Sequence, residues 1–393
     1  MTDSNYPSGT WNYPSDIRFG VGRLNELPQA CAELGITRPL LVTDPGLAAL
    51  PIVAQAQAIC REARLDCGLF SDVKGNPVGA NVDAGVAACK DGEHDGVIAF
   101  GGGSALDAGK AVALMVGQTR SIWDFEDRED WSTRVDVEAM LPVVAVPTTS
   151  GTGSEVGRAS VITDEQDHTK KIIFHANMLP GRVILDPAVT VGLPRALTAA
   201  VGMDALSHCL EAFSSSVYHP MAHGIALEGI RLIHEWLPAV CEDGANLEAR
   251  AHMQVASTMG ATAFQKGLGA MHALSHPCGS VLDTHHGLTN AVVMPYVLEF
   301  NRPVIESKLA GLARYLDLQT ASFDTIMNWV LELRESLGIA HTLSAIGVED
   351  KHIETLAPMA VVDPSAGTNP VLLTRNAAGE LYRRAIDGVL VAA

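Results

Sequence analysis

Several residue pairs in this chain have the spacing of metal ligands. Asp204 and His208 stand four apart in VGMDALSHCLEA, a helical run, so both side chains project from one face and can reach one ion. His272 and His276 repeat that spacing in MHALSHPCG, and His286 follows in HHGLTNAVV, where another helix is expected to start. A carboxylate combined with imidazoles suits Fe2+ or Zn2+ better than Mg2+ or Ca2+, which prefer oxygen shells. His219 and His223 are also four apart, but Pro220 directly after His219 puts that histidine at a helix cap. Spacing alone favours Asp204, His208, His272 and His286 only slightly over sets that include His276 or the 219/223 pair. The isolated histidines, His94, His168, His175, His234, His252 and His341, read as core or surface residues, and Cys278 reads as a structural thiol.

A second group of residues has the character of a nucleotide site. Gly101, Gly102, Gly103 and Ser104 follow a strand and open a helix, where free N–H groups and the helix dipole favour a pyrophosphate. The run is not G-x-G-x-x-G, and three glycines also make plain tight turns. Asp44 ends an earlier strand in VTDPG; an acid there can accept ribose hydroxyls and repel a 2′-phosphate, although the same residue can cap a turn beside Pro45. PTTSGTGSE, residues 147–155, follows another buried strand and is dense in hydroxyls, fit to wrap a diphosphate or a ribose.

These residues need elements to hold them. Strands are predicted at Pro39–Thr43, Cys67–Phe70, Gly96–Phe100 and Val143–Val146, alternating with helices at Ala48–Ala63, Val78–Lys90 and Ser104–Val116. Strands that are apolar throughout and separated by helices imply a parallel sheet covered on both faces. Past DPAVTVGLP the pattern turns helical, with helices expected over 199–217, 220–241, 246–265, 325–336 and 378–392. The division predicted is 1–194 for an α/β domain and 195–393 for an all-helical one, with the cleft between them as the natural ligand site.

Composition removes other classes. Hydrophobic residues make up 47% and charged residues 18%, enough to bury a large core. A net charge of −18 without a basic cluster argues against nucleic acid as a partner. Seven cysteines without a C-x-x-C pair argue against a disulfide framework and for a reducing compartment. The first sixteen residues are polar and lack an apolar signal core, and no apolar run is long enough to span a bilayer; a cytoplasmic protein without a membrane partner is expected.

The motifs in their order resemble the iron-containing (group III) alcohol dehydrogenases along nearly the whole chain. They are IRFGVGRLNELP, VTDPGL, GGGSALDAGK, PTTSGTGSEV, VITD, GMDALSHCLEA and the histidine run from His272 to Gly287. The resemblance implies an α/β N-terminal dinucleotide-binding domain plus an all-helical C-terminal metal-binding domain, the dehydroquinate synthase-like architecture. It implies Fe2+, with Zn2+ as an alternative, on Asp204, His208, His272 and His286, while His276 is a nearby histidine that is not a ligand. It implies NAD contacts at Asp44, Asn76, Gly101, Gly102, Gly103, Ser104, Asp107, Thr148, Thr149, Thr152 and Lys170. One departure is visible: Gly157-Arg158-Ala159-Ser160 stands where relatives have a Thr and some an Asn at the place of Ala159.

The activity implied is hydride transfer between NAD(H) and a small alcohol or aldehyde in a homodimer or larger homo-oligomer. The metal acts as Lewis acid, and His276 either carries the proton or orients its neighbours. Dehydroquinate synthase, a lyase, uses a Glu and two His, and maleylacetate reductase needs no metal; the four residues here favour neither. Both ligand site and cofactor loop are retained, which disfavours a purely binding role.

Overall fold

The computed structural model describes residues 16–390; the polar stretch through Ser15 and the end of the helix expected to reach 392 lie outside the described residues. Eight strands are present: β1 (Asp16–Phe19), β2 (Pro39–Val42), β3 (Gly68–Phe70), β4 (Gly96–Gly101), β5 (Val143–Pro147), β6 (Ala159–Asp164), β7 (Thr169–Phe174) and β8 (Arg182–Leu185). Six of them form a parallel sheet in the order β1-β8-β5-β4-β2-β3. The helices before residue 194 are α1 (Leu27–Glu33), α2 (Pro45–Ala48), α3 (Pro51–Glu62), α4 (Gly79–Asp91) and α5 (Gly103–Met115). Two compact units result, one holding the chain up to Leu193 together with Gly244–Gln254, the other holding Pro194–Asp243 and the chain from Val255 onward.

The sheet shows why its strands read as continuous apolar runs. Side chains alternate across a strand. Leu41, Ile98, Phe100, Val144, Val146 and Ile184 enter one core with Leu27, Ala30, Val53 and Ala56 from α1 and α3. Leu40, Val42, Val97, Ala99, Val143, Ala145 and Val183 enter another with Val82, Leu106 and Val112 from α4 and α5. Because α3 and α4 cover opposite faces, the chain switches direction in the sheet between β2 and β4, which pair side by side with Val42 opposite Ala99. Ligands of parallel sheets bind at that kind of switch point, beyond the carboxyl ends of the strands. Asp44 and the glycine run stand at those two ends.

Several pieces of this unit, α1 among them, were not foreseen. β1 and β8 are short strands on one side of the sheet, and β6 and β7 make a separate antiparallel hairpin. The helix expected over 48–63 is α3, which starts at Pro51, and the short α2 before it was not expected.

The hairpin and the 147–157 loop are fastened by one buried cation. Lys110 of α5 is 1% exposed, and its Nζ donates to the carbonyls of Ser154 at 3.0 Å, Gly157 at 3.5 Å and Ala159, with Asp107 Oδ1 3.3 Å away. Burial pushes its pKa down, against Asp107 and Glu155, which hold the charge.

The helical unit contains α6 (Arg195–Ser214), α7 (Pro220–Glu242), α8 (Leu247–Ala263, its early turns grouped with the sheet), α9 (Ala270–Leu282), α10 (His286–Tyr315), α11 (Phe323–Ser336), α12 (Ile353–Val362) and α13 (Arg375–Asp387). α6 is buried on every side from Thr198 to Ser214 apart from the half-buried Val201. An all-round burial of that kind belongs to a central helix rather than to an amphipathic surface helix. Its last carbonyls are taken by two ammoniums: Lys266 Nζ donates to Ala212, Phe213 and Ser215, and Lys308 Nζ to Ser214 and Ser215. Among the described residues no helix is long and apolar enough to cross a membrane.

Replacing Lys110 with Met leaves three carbonyls without their shared donor and Asp107 without its cation. The expected cost is on the order of 3 kcal/mol, read as a lower melting temperature and earlier proteolysis within residues 150–160; an unchanged melting temperature would show that Lys110 does not hold the loop.

Candidate metal centre and cofactor loops

Asp204, His208 and His272 are buried, and one ligand atom from each lies within 4.8 Å of the others. This is the one group of three or more His, Cys, Asp or Glu residues among the described residues that could hold a metal ion. Asp204 and His208 share a face of α6, and His272 comes from the first turn of α9. The His208 and His272 rings stack at 4.6 Å with 22° between their planes. His286 opens α10 and approaches this group from a more accessible side: its Nε2 is 3.5 Å from Asp204 Oδ1, and its side chain is 24% exposed against 2% for Asp204.

The donor set has an excess of lone pairs. Asn290, one turn after His286, directs its amide nitrogen at Asp204 Oδ1 (2.8 Å), His286 Nε2 (3.2 Å) and His272 Nε2 (3.3 Å). Two amide hydrogens cannot satisfy three acceptors, and the Asn290 Oδ1 is itself buried with no hydrogen-bond partner. No Lys or Arg forms an ion pair with Asp204 among the described residues. Acceptors that converge in a buried place without enough protons are what a divalent cation meets. The residues therefore fit an iron or zinc ion.

Two carboxylates stand behind the histidines, and neither was read from the sequence. Glu211 accepts from Met271 N–H at 2.6 Å and pairs with His272 Nδ1 at 2.6 Å. Burial works to lower the His272 pKa, but Glu211, with Asp204 and Asp363 adding, holds it above the ordinary value. Asp363 pairs with His276 Nδ1 at 2.8 Å. Burial works to raise the Asp363 pKa, and His276 keeps it below the usual carboxylate range. The His276 ring stacks on His286 at 5.2 Å and 13°. A signal for Glu211 was available: it is three residues after His208, so it shares the ligand face of α6.

The rival pair does not form a metal site. His219 caps α7, its Nδ1 accepting from Ala222 N–H, and His223 stacks on Phe213. His219 thus sits at the cap, as Pro220 implied.

In the sheet unit the expected cofactor residues gather at the ends of β2, β4 and β5. Gly102 precedes α5 without any side-chain cap, which leaves the first N–H groups of the helix turned outward. Gly101 has φ +148°, a backbone that L side chains rarely adopt, so the turn out of β4 requires glycine. Thr148 N–H donates to Gly101 O, tying the β5 loop to the glycine turn. Thr149 and Thr152 flank Gly102 and Gly103. Ser104 Oγ donates to Gly75 O, and Lys170 Nζ to Asn76 Oδ1 at 2.9 Å, so the Gly75–Asn76 segment is tied to both the glycine turn and β7. Asp44 does cap a helix, accepting from Leu47 N–H with Oδ1. Asp107 gives both oxygens to the loop, one to Ser154 Oγ and the other to Val161 N–H.

Comparison with known proteins agrees with this geometry. Residues 14–187 match the family described as iron-containing alcohol dehydrogenase, and residues 198–386 match the C-terminal part of the Fe-containing alcohol dehydrogenase family. A 4-hydroxybutyrate dehydrogenase of Cupriavidus necator is 37% identical over 385 residues, covering 95% of this chain and 98% of that protein. The crystal structure of a 1,3-propanediol oxidoreductase superposes with a TM-score of 0.90 at 32% identity, covering 96% of this chain and 100% of the other. A sulfoacetaldehyde reductase from Bifidobacterium kashiwanohense, solved in complex with NAD+, superposes with a TM-score of 0.85 at 27% identity, covering 96% and 99%.

The start of α10 lies so close to α6 that a Cβ on Gly287 would stand 2.5 Å from Ala200 O and 3.0 Å from Asp204 Cβ. Gly287→Ala is expected to push His286 away from Asp204 and to weaken metal binding by about 10-fold or more. Competition titration with a chromophoric chelator measures this; wild-type affinity would mean that the approach of α10 does not position His286.

Proposed function

The chain belongs to the iron-containing alcohol dehydrogenase family, and we propose that Asp204, His208, His272 and His286 hold its metal while the β2, β4 and β5 loops hold its NAD. It is an oxidoreductase that works with NAD(H) and Fe2+ on alcohols and aldehydes. The observation that carries the site assignment is the convergence of buried acceptors from α6, α9 and α10 around a shortage of protons.

Bound iron supplies a Lewis acid for the substrate oxygen, and NAD supplies the hydride acceptor. The protein's own contribution is positional and electrostatic. Three of the four ligands are buried, and His286 is on the accessible side. His276, with Nδ1–H donated to Asp363, takes the hydroxyl proton at Nε2. The open amides at the start of α5 receive the pyrophosphate, and Thr148, Thr149, Thr152, Ser104, Asn76 and Lys170 line the same loops. Asp44 disfavours a 2′-phosphate and so selects NAD over NADP. Asp107 serves the loop that Lys110 fastens.

The substrate class we propose is a short alcohol with a second polar end, as in the relatives named for 4-hydroxybutyrate and 1,3-propanediol. Seven cysteines without a disulfide support a reducing, cytoplasmic setting. The resemblance to the family carries the expectation of a homodimer or larger assembly.

The test is NAD reduction with 4-hydroxybutyrate, 1,3-propanediol and ethanol after anaerobic loading with Fe2+. Turnover with at least one of them is expected, abolished by chelation and by Asp204→Ala or His272→Ala. Full activity in the chelated enzyme or in His272→Ala would remove the metal from the mechanism.

A further inference from the structure

Glu211 is a buried carboxylate whose place the ligand set does not explain. It is 4% exposed, and among the described residues its one ion-pair partner is His272; no Lys or Arg pairs with it. Burying a carboxylate without a permanent cation is costly unless its oxygens are fully used. Both are: Oε1 takes Met271 N–H and Oε2 faces His272 Nδ1, each at 2.6 Å. Behind it there is no room, since a Cβ on Gly269 would be 3.0 Å from Oε1. Asn369 Oδ1 takes the preceding amide, Ala270 N–H, so the first turn of α9 is held by two side-chain acceptors. A carboxylate at this helix start is also on the favourable side of its dipole.

The contact at Nδ1 decides what the other ring nitrogen can do. With both oxygens acceptors, His272 must carry its proton on Nδ1, which leaves a lone pair on Nε2. Nε2 is the atom turned toward Asp204 Oδ1, at 4.0 Å, and toward the Asn290 amide, at 3.3 Å.

We propose that Glu211 is the positioning residue of the metal centre: it accepts the Nδ1 proton of His272, fixes the tautomer whose Nε2 can ligate, and strengthens that nitrogen as a donor. The proposal rests on the assignment of His272 as a ligand.

The informative variant is Glu211→Gln. A glutamine has one acceptor atom for two donors. If its oxygen keeps Met271 N–H, its NH2 faces Nδ1 and places the imidazole proton on Nε2, where it blocks ligation. If its oxygen turns to Nδ1, the amide meets Met271 N–H donor to donor, and α9 is displaced. Co2+ affinity, measured by competition titration on the full chain, is expected to fall about 10–100-fold in Glu211→Gln. The visible cobalt spectrum should shift, with circular dichroism and NAD binding unchanged. Glu211→Asp, which keeps the charge, should recover part of the affinity.

His272→Ala, run in parallel, separates the two levels. If it loses Co2+ while Glu211→Gln binds Co2+ like the wild type with the same spectrum, Glu211 only anchors α9 and the proposal is overturned. If His272→Ala itself binds Co2+ like the wild type, the ligand assignment falls first. Should Glu211→Gln fail to fold, long-range 1H–15N correlation on the metal-free wild-type protein at mildly alkaline pH decides the question. The proton of His272 is expected on Nδ1, and a proton on Nε2 alone overturns the proposal.

Discussion

A carboxylate buried among imidazoles, with one asparagine amide as its hydrogen-bond donor among the described residues, is the constraint on which the helical unit depends. Asp204 is 2% exposed and sits in the middle of a helix that is buried nearly all round. A charge in that position is stable only if something cationic or protic meets it. The surrounding elements are arranged for that purpose rather than for apolar packing. α10 begins against Asp204 with a glycine, and α9 brings an imidazole whose far side is held by Glu211. The carbonyls at the end of α6 are neutralised by Lys266 and Lys308, so the helix needs no exposed cap. Burial is strong enough there to push the Lys266 pKa down to about 8.

The sheet unit solves a different electrostatic problem. The site proposed for its cofactor has backbone N–H groups at the ends of parallel strands, which can bind an anion without a matching side-chain charge. Two of its charges, Asp107 and Lys110, are turned inward on the loop and the strand that follows it. That division explains why Asp107 lies inside the glycine motif by sequence, yet gives its oxygens to Ser154 and Val161. It also gives a reason for the departure at Gly157–Ser160. The carbonyls of Gly157 and Ala159 face the Lys110 ammonium, and a backbone carbonyl serves that purpose whatever the side chain.

How much could be read in advance follows the range of the signal. The parallel sheet was legible because apolar strands and Ala-rich helices are local patterns, and the i, i+4 pair Asp204/His208 is local too. α9 and α10 were not delineated, because Pro277, Pro295 and Pro303 lie inside them and proline normally marks a helix end. The β6–β7 hairpin was hidden in a polar segment, TDEQDHTKK, that reads as loop. Asp363 could not be connected to the histidines by spacing. Asp363 is 87 residues from His276, and only the fold closes that distance. Glu211 is the exception: it lies in the GMDALSHCLEA run three residues after His208, so helical spacing alone puts it on the face that carries Asp204 and His208.

Among the histidines, geometry separates what spacing left open. His272 and His276 are one helical turn apart on α9, so either could face an ion anchored on α6. Each has its Nδ1 committed to a carboxylate, but to different ones, and the difference lies in where those carboxylates stand. Glu211 belongs to α6 itself, so its bond to His272 pulls the ring toward the helix that carries Asp204 and His208, and the His272 ring stacks on His208. Asp363 follows α12, and its bond draws His276 to the other side, where the ring stacks on His286. The same chemical device therefore turns one imidazole toward Asp204 and His208 and holds its neighbour one ring further out. The proton role proposed for His276 draws on that second position, where the ring stacks on His286 and its Nδ1 is already taken by Asp363.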